Sequence, residues 1–363
     1  MSKAPIKHID FCSTSFFEYD RRLQRITNEL SNNGFIIYWF SRSYETNSDS
    51  LHYLSNRKIK TFFKRGILFY LEFNIRLFIS LLRSSSDGIS AADIDTLPAA
   101  YLASKIKRKT LFFDAHEIFH EVPELLGKPL KKKIWFMLSN FLFKRVSRKY
   151  TVNHSLRLKF KQDFNTNFDV IMNVPSLKTT NNNPQKDFNK LIYLGVVNKG
   201  RGVEIAISAL QTLTDFSLQI IGEGDLIEEM KALSKQKGVD KRVTFSGYVS
   251  PSELSSHLEN GSVGLNLLIP ESENYKLSLA NKHFDYIHAK LPSICMRFPE
   301  YEIINEKHAV SILVDEYSET ALIEGINTLY KGNTYSQLQE NCTLAATNYN
   351  WEKESQKLLS VYT

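Results

Sequence analysis

The sequence predicts an α/β chain of two halves, each a parallel sheet covered by helices. Three observations carry this. Short apolar runs of strand length alternate with helix-length stretches from residue 6 and, in a second series, from residue 191. A polar stretch over 176–189, containing Thr179-Thr180-Asn181-Asn182-Asn183-Pro184, separates the two series as a linker would. The length of 363 residues suits two domains of ordinary size, each able to bury its own core.

Composition narrows the class. Apolar content of 42% and charged content of 23% are those of a globular protein in water. Cys12, Cys295 and Cys342 are isolated, which argues against a disulfide framework or a zinc site and fits a reducing cytoplasm. Residues 1–8 hold no apolar signal-peptide core. The most apolar segment, 62–82, is interrupted by Lys64, Arg65, Glu72, Asn74 and Arg76, so no spanning helix is expected. Charge is unevenly placed. Residues 1–175 hold 28 Lys and Arg against 16 Asp and Glu, and the remainder 18 against 23. A basic first half implies an anionic partner: nucleic acid, a phospholipid surface or a lipid-diphosphate acceptor. No helix-turn-helix, zinc-finger or aromatic RNA-binding signature accompanies the charge, so nucleic acid is disfavoured and the membrane surface favoured.

The first series opens with an apolar strand over 6–12, the turn Ser13-Thr14-Ser15 and a helix from about 19 to 32. Asn33-Gly34 stops that helix, and 35–40 is the next strand. Asp20, Arg21 and Arg22 are either phosphate contacts or a solvated first turn. Residues 62–82 read as a helix on the sheet, with a membrane-surface helix as the alternative. A strand over 89–93, a helix over 97–106 and a strand over 110–113 follow, the last ending in Asp114-Ala115-His116-Glu117. Ligands of open α/β sheets bind beyond the carboxyl ends of strands, which singles out this tetrad. His116 there either positions a hydroxyl or, with Glu117, merely caps the loop. Lys131-Lys132-Lys133 precede Ile134, Met137, Leu138, Phe141 and Leu142, apolar at helical spacing. That helix either lies on an anionic surface or packs its stripe inward. Strands at 150–153 and 170–175 close the half.

In the second series a strand over 191–195 feeds the loop Val196-Val197-Asn198-Lys199-Gly200-Arg201-Gly202 and a helix over 203–213. Glycines permit close backbone approach to a ligand, and Arg201 offers a fork matched to phosphate oxygens. A strand over 216–221, the turn Gly222-Glu223-Gly224-Asp225, a helix over 226–237 and a strand over 243–249 come next. After an apolar strand at 262–268 the chain reaches Ser278-Leu279-Ala280-Asn281-Lys282, where a helix begins. Free N–H groups and the positive end of the helix dipole favour an anion there. Asp285 lies one turn on, about 6 Å along the axis. One surface can thus hold a diphosphate at the helix start and a ribose hydroxyl pair on the carboxylate.

Asn281-Lys282-x-Phe284-Asp285-Tyr286-x-x-Ala289-x-Leu291-Pro292 resembles the donor-site segment N-K-x-F-E-Y-x-x-A-G-x-P of family 4, group 1 glycosyltransferases. The resemblance extends to the G-R-x-x-x-x-K-G loop, where Gly195 and Gly202 match and Arg201 takes the diphosphate-clamping Lys position. It also covers the I-x-G-x-G … V-x-F-x-G-x-V run through Gly222 and Tyr248, and Asp114 to Glu117 on the acceptor side. Four departures stand out: Asp285 for Glu, Lys290 for Gly, Leu277 for a further Glu, and Val196 for Arg, with Lys199 as a possible substitute for the last. Ser13, Thr14 and Ser15 replace a glycine-rich turn facing the acceptor.

The resemblance implies the GT-B fold: two Rossmann-like domains (1–174 and 175–345), an active site in the cleft, and a helix over 346–363 crossing back. It implies a retaining transfer from a nucleoside-diphosphate sugar to a hydroxyl of a cell-surface glycan or lipid-linked saccharide. Arg201, Lys282 and His116 would be the catalytic residues. Gly195, Asn198, Lys199, Gly202, Gly222, Tyr248, Ser278, Ala280, Asn281 and Asp285 would hold the donor, with Tyr248 either stacking on the base or packing on the adjoining helix. Ser13, Thr14, Ser15, Asp114 and Glu117 would face the acceptor. Glu271 and Glu273 would face the diphosphate site without a D-x-D signature there, so neither a metal nor another cofactor is expected. The expected location is cytoplasmic, peripheral on the inner face of the membrane. A sugar-nucleotide epimerase, a phosphorylase, and a silent sugar-nucleotide binder or membrane scaffold are the rival readings.

Overall fold

The computed structural model describes residues 6–15, 20–42, 54–122, 125, 127–177 and 187–363. Most of the expected linker, 178–186, lies outside them. Two compact units emerge: Met1–Asn173 with Glu354–Thr363, and Val174–Lys353.

The first unit runs β1 (His8–Cys12), α1 (Arg21–Asn32), β2 (Ile36–Arg42), β3 (Leu54–Ile59), α2 (Ile67–Arg83), β4 (Gly88–Ala92), α3 (Leu97–Lys107), β5 (Thr110–Ala115), α4 (Pro129–Phe143), β6 (Arg148–Thr151), α5 (His154–Phe164) and β7 (Asp169–Val170). Its sheet is parallel in the order β3-β2-β1-β4-β5-β6-β7. Strand order reverses between β1 and β4, so the loops after these two strands part and leave a ligand crevice. The turn 13–15 and Asp93 leave the sheet at that point.

The second unit runs β8 (Lys190–Leu194), α6 (Val203–Ala209), β9 (Ser217–Ile221), α7 (Ile227–Gln236), β10 (Val243–Gly247), α8 (Pro251–Glu259), β11 (Val263–Asn266), α9 (Glu273–Lys276), α10 (Asn281–His288), β12 (Ser293–Met296), α11 (Pro299–Lys307), β13 (Ser311–Val314), α12 (Glu319–Leu329) and α13 (Thr334–Asn348). Its sheet, also parallel, is ordered β10-β9-β8-β11-β12-β13, with the reversal between β8 and β11. The 195–202 loop follows β8, and the 267–282 segment follows β11.

The last helix, α14 (Trp351–Tyr362), returns the chain to the first unit, as the resemblance implied. Tyr362 is fully buried, stacked 4.3 Å from Phe112, and its hydroxyl meets Ser90 (2.8 Å) and Tyr150 (3.0 Å). Glu354 accepts the Met172 N–H at 2.8 Å, a charge-assisted bond that fixes the returning helix.

Several expectations need correction. The helix expected over 62–82 starts only at Ile67, and strand β3 precedes it. Leu-Ser-Asn-Arg-Lys-Ile lacks an apolar alternation because β3 is an edge strand, where charge guards against stray pairing. Asn153 is not the end of a strand: its side chain caps α5, accepting the Leu156 N–H at 2.8 Å. Helix α6 ends at Ala209, four residues short of the expected 213. Nor does α4 pack its stripe inward. Leu142 is buried, but Ile134, Met137 and Phe141 are 46%, 60% and 49% exposed. Among the described residues no helix is long and apolar enough to cross a membrane.

Candidate active site

The second unit places Gly195, Arg201 and Lys282 together. Tyr286 sets the stage. It is fully buried beneath the sheet, and its hydroxyl accepts the Leu194 N–H (3.1 Å) and lies 3.2 Å from the carbonyls of Ile192 and Leu265. This ties α10 to β8 and β11 and requires Gly264 beside it, since a Cβ there would strike the Tyr286 ring. The start of α10 is thereby held against the end of β8. Gly195 (φ +131°) and Gly222 (φ +138°) adopt backbone that side chains rarely do, and a Cβ on Gly222 would strike the Gly195 carbonyl. A Cβ on Gly195 would lie 3.9 Å from the Lys282 ammonium, so the missing side chain leaves room in front of the charge.

Lys282 is 6% exposed, its Nζ 4.0 Å from the centroid of the Tyr193 ring, and it has no hydrogen-bond partner among the described residues. Arg201 lies over Tyr275 at 4.9 Å, with Nε buried and unpartnered among the described residues. Burial, and then repulsion from Arg201, lowers the Lys282 pKa to about 7. That repulsion puts both charges in one locale. Lys282 Nζ and Arg201 Nε, both buried and without a hydrogen-bond partner among the described residues, make a cationic site suited to an anion.

The other donor residues are distributed around this centre. The Asn198 side chain accepts the Asp225 N–H (3.0 Å), bracing the loop, while Lys199 is exposed. Tyr248 is 61% exposed, a ring face open to a base. Asn281 is exposed, and Asp285, one turn along α10, is 8% exposed. Ser278 donates back to the Tyr275 carbonyl (2.8 Å), and the Ala280 N–H donates to the Tyr301 hydroxyl (3.1 Å) rather than standing free. Tyr317, missed in the sequence, accepts the Gly202 N–H (2.8 Å) and donates to Glu204 (2.6 Å), fixing the loop beside Arg201.

Lys290, where the family has Gly, adopts φ +53° just beyond α10. The left-handed backbone that glycine serves is therefore kept at some strain. Lys290→Gly is expected to stabilise the second unit by about 0.5–1 kcal/mol after the entropy cost of glycine. Thermal unfolding would show a rise of roughly 1–3 °C, and a lowered Tm would refute the strain.

On the first unit the expected acceptor residues form a closed polar cluster. Ser13 and Ser15 share a bond (2.6 Å), Ser15 donates to Asp20 (2.8 Å), and Thr14 donates to Asp95. Asp20 caps α1 by accepting the Leu23 N–H (3.0 Å). Arg22 is neither a phosphate contact nor solvated. Only 5% exposed, it forks onto Asp114 through Nε (3.0 Å) and Nη2 (2.8 Å). His116 stands between Asp93 (Nδ1, 3.2 Å) and Asp114 (Nε2, 2.9 Å, off the hydrogen-bond direction). Burial alone would lower its pKa, but the two carboxylates raise it well above the ordinary value, which favours the charged imidazolium. Glu117 is half-buried beside it. Asp93 adopts φ 59°, and its carboxylate also accepts the His116 N–H (2.9 Å). Asp95, buried against Asp93, has its pKa raised to about 7 by desolvation and then by that neighbouring charge. Asp93-x-Asp95 directly after β4 is the signal that would have found this pair. Among the described residues no group of three or more His, Cys, Asp or Glu is arranged to hold a metal ion.

Two parallel sheets of this order, with a return helix, define the GT-B architecture. Residues 177–349 match the family model of glycosyl transferases group 1. Solved structures agree over the whole chain. Sucrose-phosphate synthase from Thermosynechococcus elongatus is similar at a TM-score of 0.78 and 13% identity, covering 98% of each chain. Anabaena HepE in complex with UDP and glucose gives 0.74 and 15%, again over 98% of each chain. WaaG, a glycosyltransferase involved in lipopolysaccharide biosynthesis, gives 0.73 and 14%, over 98% of this chain and 99% of its own. No curated protein matches the sequence. Residues 177–349 thus match the group 1 glycosyl transferases on a chain of GT-B fold, which supports a glycosyltransferase enzyme.

Proposed function

We propose that the protein transfers a sugar, with retention, from a nucleoside diphosphate to a hydroxyl of a cell-surface glycan or lipid-linked saccharide. The observation that carries this is the buried Lys282 beside Arg201, without a hydrogen-bond partner among the described residues and facing the space left by Gly195. As the C1–O bond breaks, its electron pair passes to the diphosphate, whose growing charge these two cations stabilise in a water-poor site. The acceptor oxygen bonds C1 on the same face, and its proton goes to the departing phosphate oxygen. Arg201 and Lys282 supply the positive charge that a metal ion would otherwise bring, so the reading needs no metal. Asp285 and Tyr248 take the ribose and the base. His116, held between Asp93 and Asp114, serves the acceptor through its charge, with Glu117 and the 13–15 turn alongside. HepE complexes with UDP and with UDP-glucose, and the role of WaaG in lipopolysaccharide biosynthesis, support the substrate class. The basic first unit, α4 above all, would meet the anionic inner face of the membrane.

A panel of sugar nucleotides tests this. One donor should be slowly hydrolysed by the protein alone, releasing nucleotide and sugar. His116→Ala should bind that donor within about twofold of wild type yet lose roughly tenfold or more of transfer. Thermal protection by a donor without any nucleotide release would identify a silent binder instead.

A further inference from the structure

Helix α2 carries two apolar stripes, not one. Phe69, Phe73, Leu77 and Leu81 are buried. Ile67, Leu71, Ile75 and Ile79, also spaced by four, are 67%, 59%, 52% and 42% exposed. A surface helix ordinarily places polar residues on that second face. The turn before it adds Phe62, 85% exposed, and Phe63, 47% exposed. This turn is bolted down. The Glu72 carboxylate accepts both N–H groups, Phe62 at 2.9 Å and Phe63 at 3.1 Å. Arg76 bonds Glu72 (2.8 Å) and lies 5.2 Å from the centroid of the Phe62 ring. A buttress that keeps an aromatic pair in water has no use in the monomer, because it preserves apolar exposure instead of relieving it.

The layer continues sideways. Tyr70 of α2 packs edge-on against Trp135 of α4 (5.4 Å), and Tyr101 of α3 against Phe141 of α4 (6.3 Å). The exposed stripe of α4 therefore belongs to the same face of the first unit. Its polar border is basic: Lys60, Lys64 and Arg65 are exposed beside the Phe62 turn, and Lys131 and Lys133 on α4. Lys132 is engaged by Glu121 at 2.6 Å. Apolar stripes edged with cations match a bilayer of anionic lipid, whose headgroups take the charges while the acyl boundary takes the side chains. A second copy of the chain would oppose like charges across the same border.

We infer that α2, with its clamped Phe62-Phe63 turn, is the element that dips into an anionic lipid surface, α4 lying beside it. This rests on the membrane reading above and names its contact, which was there placed chiefly on α4. Nucleotide binding resides in the second unit and serves as an independent readout.

The full chain is to be sedimented with vesicles of phosphatidylcholine, alone or mixed with phosphatidylglycerol. Wild type should partition onto the mixed vesicles and not onto the neutral ones. Leu71→Ser with Ile75→Ser should lower that partition by roughly tenfold or more while nucleotide binding stays intact. Glu72→Gln, which weakens the clamp but leaves the stripe, should give an intermediate loss. Lys131→Gln with Lys133→Gln should reduce binding and its salt dependence. Equal partition of the Leu71/Ile75 variant and wild type would overturn the inference. So would wild type that ignores both vesicles, or self-association abolished by the same variant, which would give the face to a second copy.

Discussion

Lys282→Ala is expected to lower kcat/KM for the donor by roughly 10²–10³, the usual cost of removing one preorganised donor of charge from a developing oxyanion. Arg201→Ala should fall in the same range. The double variant should lose less than the product of the two, because both cations act on one diphosphate. Folding should suffer little, since Lys282 Nζ and Arg201 Nε have no hydrogen-bond partner among the described residues. The position of the Lys282 pKa makes a second readout available. Burial first and Arg201 next bring it from 10.5 to about 7 in the empty protein. A bound diphosphate favours the charged form and raises it again. Binding should therefore take up a proton at pH values from about 7 upward, visible by calorimetry in buffers of different ionisation heat, and Lys282→Ala should abolish the uptake. The sign for folding follows from the same shift. The unfolded chain holds this proton up to 10.5 and the folded chain only to about 7. Lys282 thus costs stability below pH 7, and the cost fades as pH rises from about 7 towards 10.5. Unchanged kcat/KM in both single variants would remove the diphosphate clamp.

What the sequence could show followed from how local each feature is. The 278–292 segment was readable because motif, helix start and following strand are contiguous, and the structure places them as α10 and β12. Lys290 looked like a lost glycine, yet the backbone it must adopt is retained. Strand β3 was missed because an edge strand needs no apolar alternation. Whether the stripes of α2 and α4 lie on the surface stayed open, since periodicity reports that a face is apolar and not what covers it. The contacts within the polar cluster around His116 were illegible for a different reason. Arg22 and Asp114 are 92 residues apart, and the hydroxyls of 13–15, which looked available, are spent on Asp95, Asp20 and one another. Only the parallel order that sets β1 beside β4 and β4 beside β5 makes these neighbours.

Arg22→Leu should then be among the most damaging single substitutions in the first unit, costing about 3–5 kcal/mol, the penalty for breaking a buried ion pair from one side. Its guanidinium gives Asp114 two bonds and donates a third to the Ile171 carbonyl (2.9 Å), with the Tyr150 ring 5.8 Å away. Asp114 is fully buried. Burial alone would raise its pKa, but Arg22 and His116 outweigh that and bring it to about 2. A carboxylate with a lowered pKa contributes stability that is present above its ordinary 3.8 and is lost as pH falls towards about 2. His116 has the opposite sign. Its raised pKa contributes fully below 6.5, and the contribution is lost as pH rises through the folded value. Wild type should therefore hold the cluster through mildly acidic and neutral pH and lose it near pH 2. Arg22→Leu leaves Asp114 dependent on His116 alone, which should move the acid transition to higher pH. Adding Asp114→Asn removes the stranded charge and should restore part of the loss, a non-additivity that a packing defect at position 22 would not produce. Urea unfolding of the first unit, followed across pH, reads all three variants. A cost below about 1 kcal/mol for Arg22→Leu would mean that water reaches this pair, and the closed cluster around His116 would have to open with it.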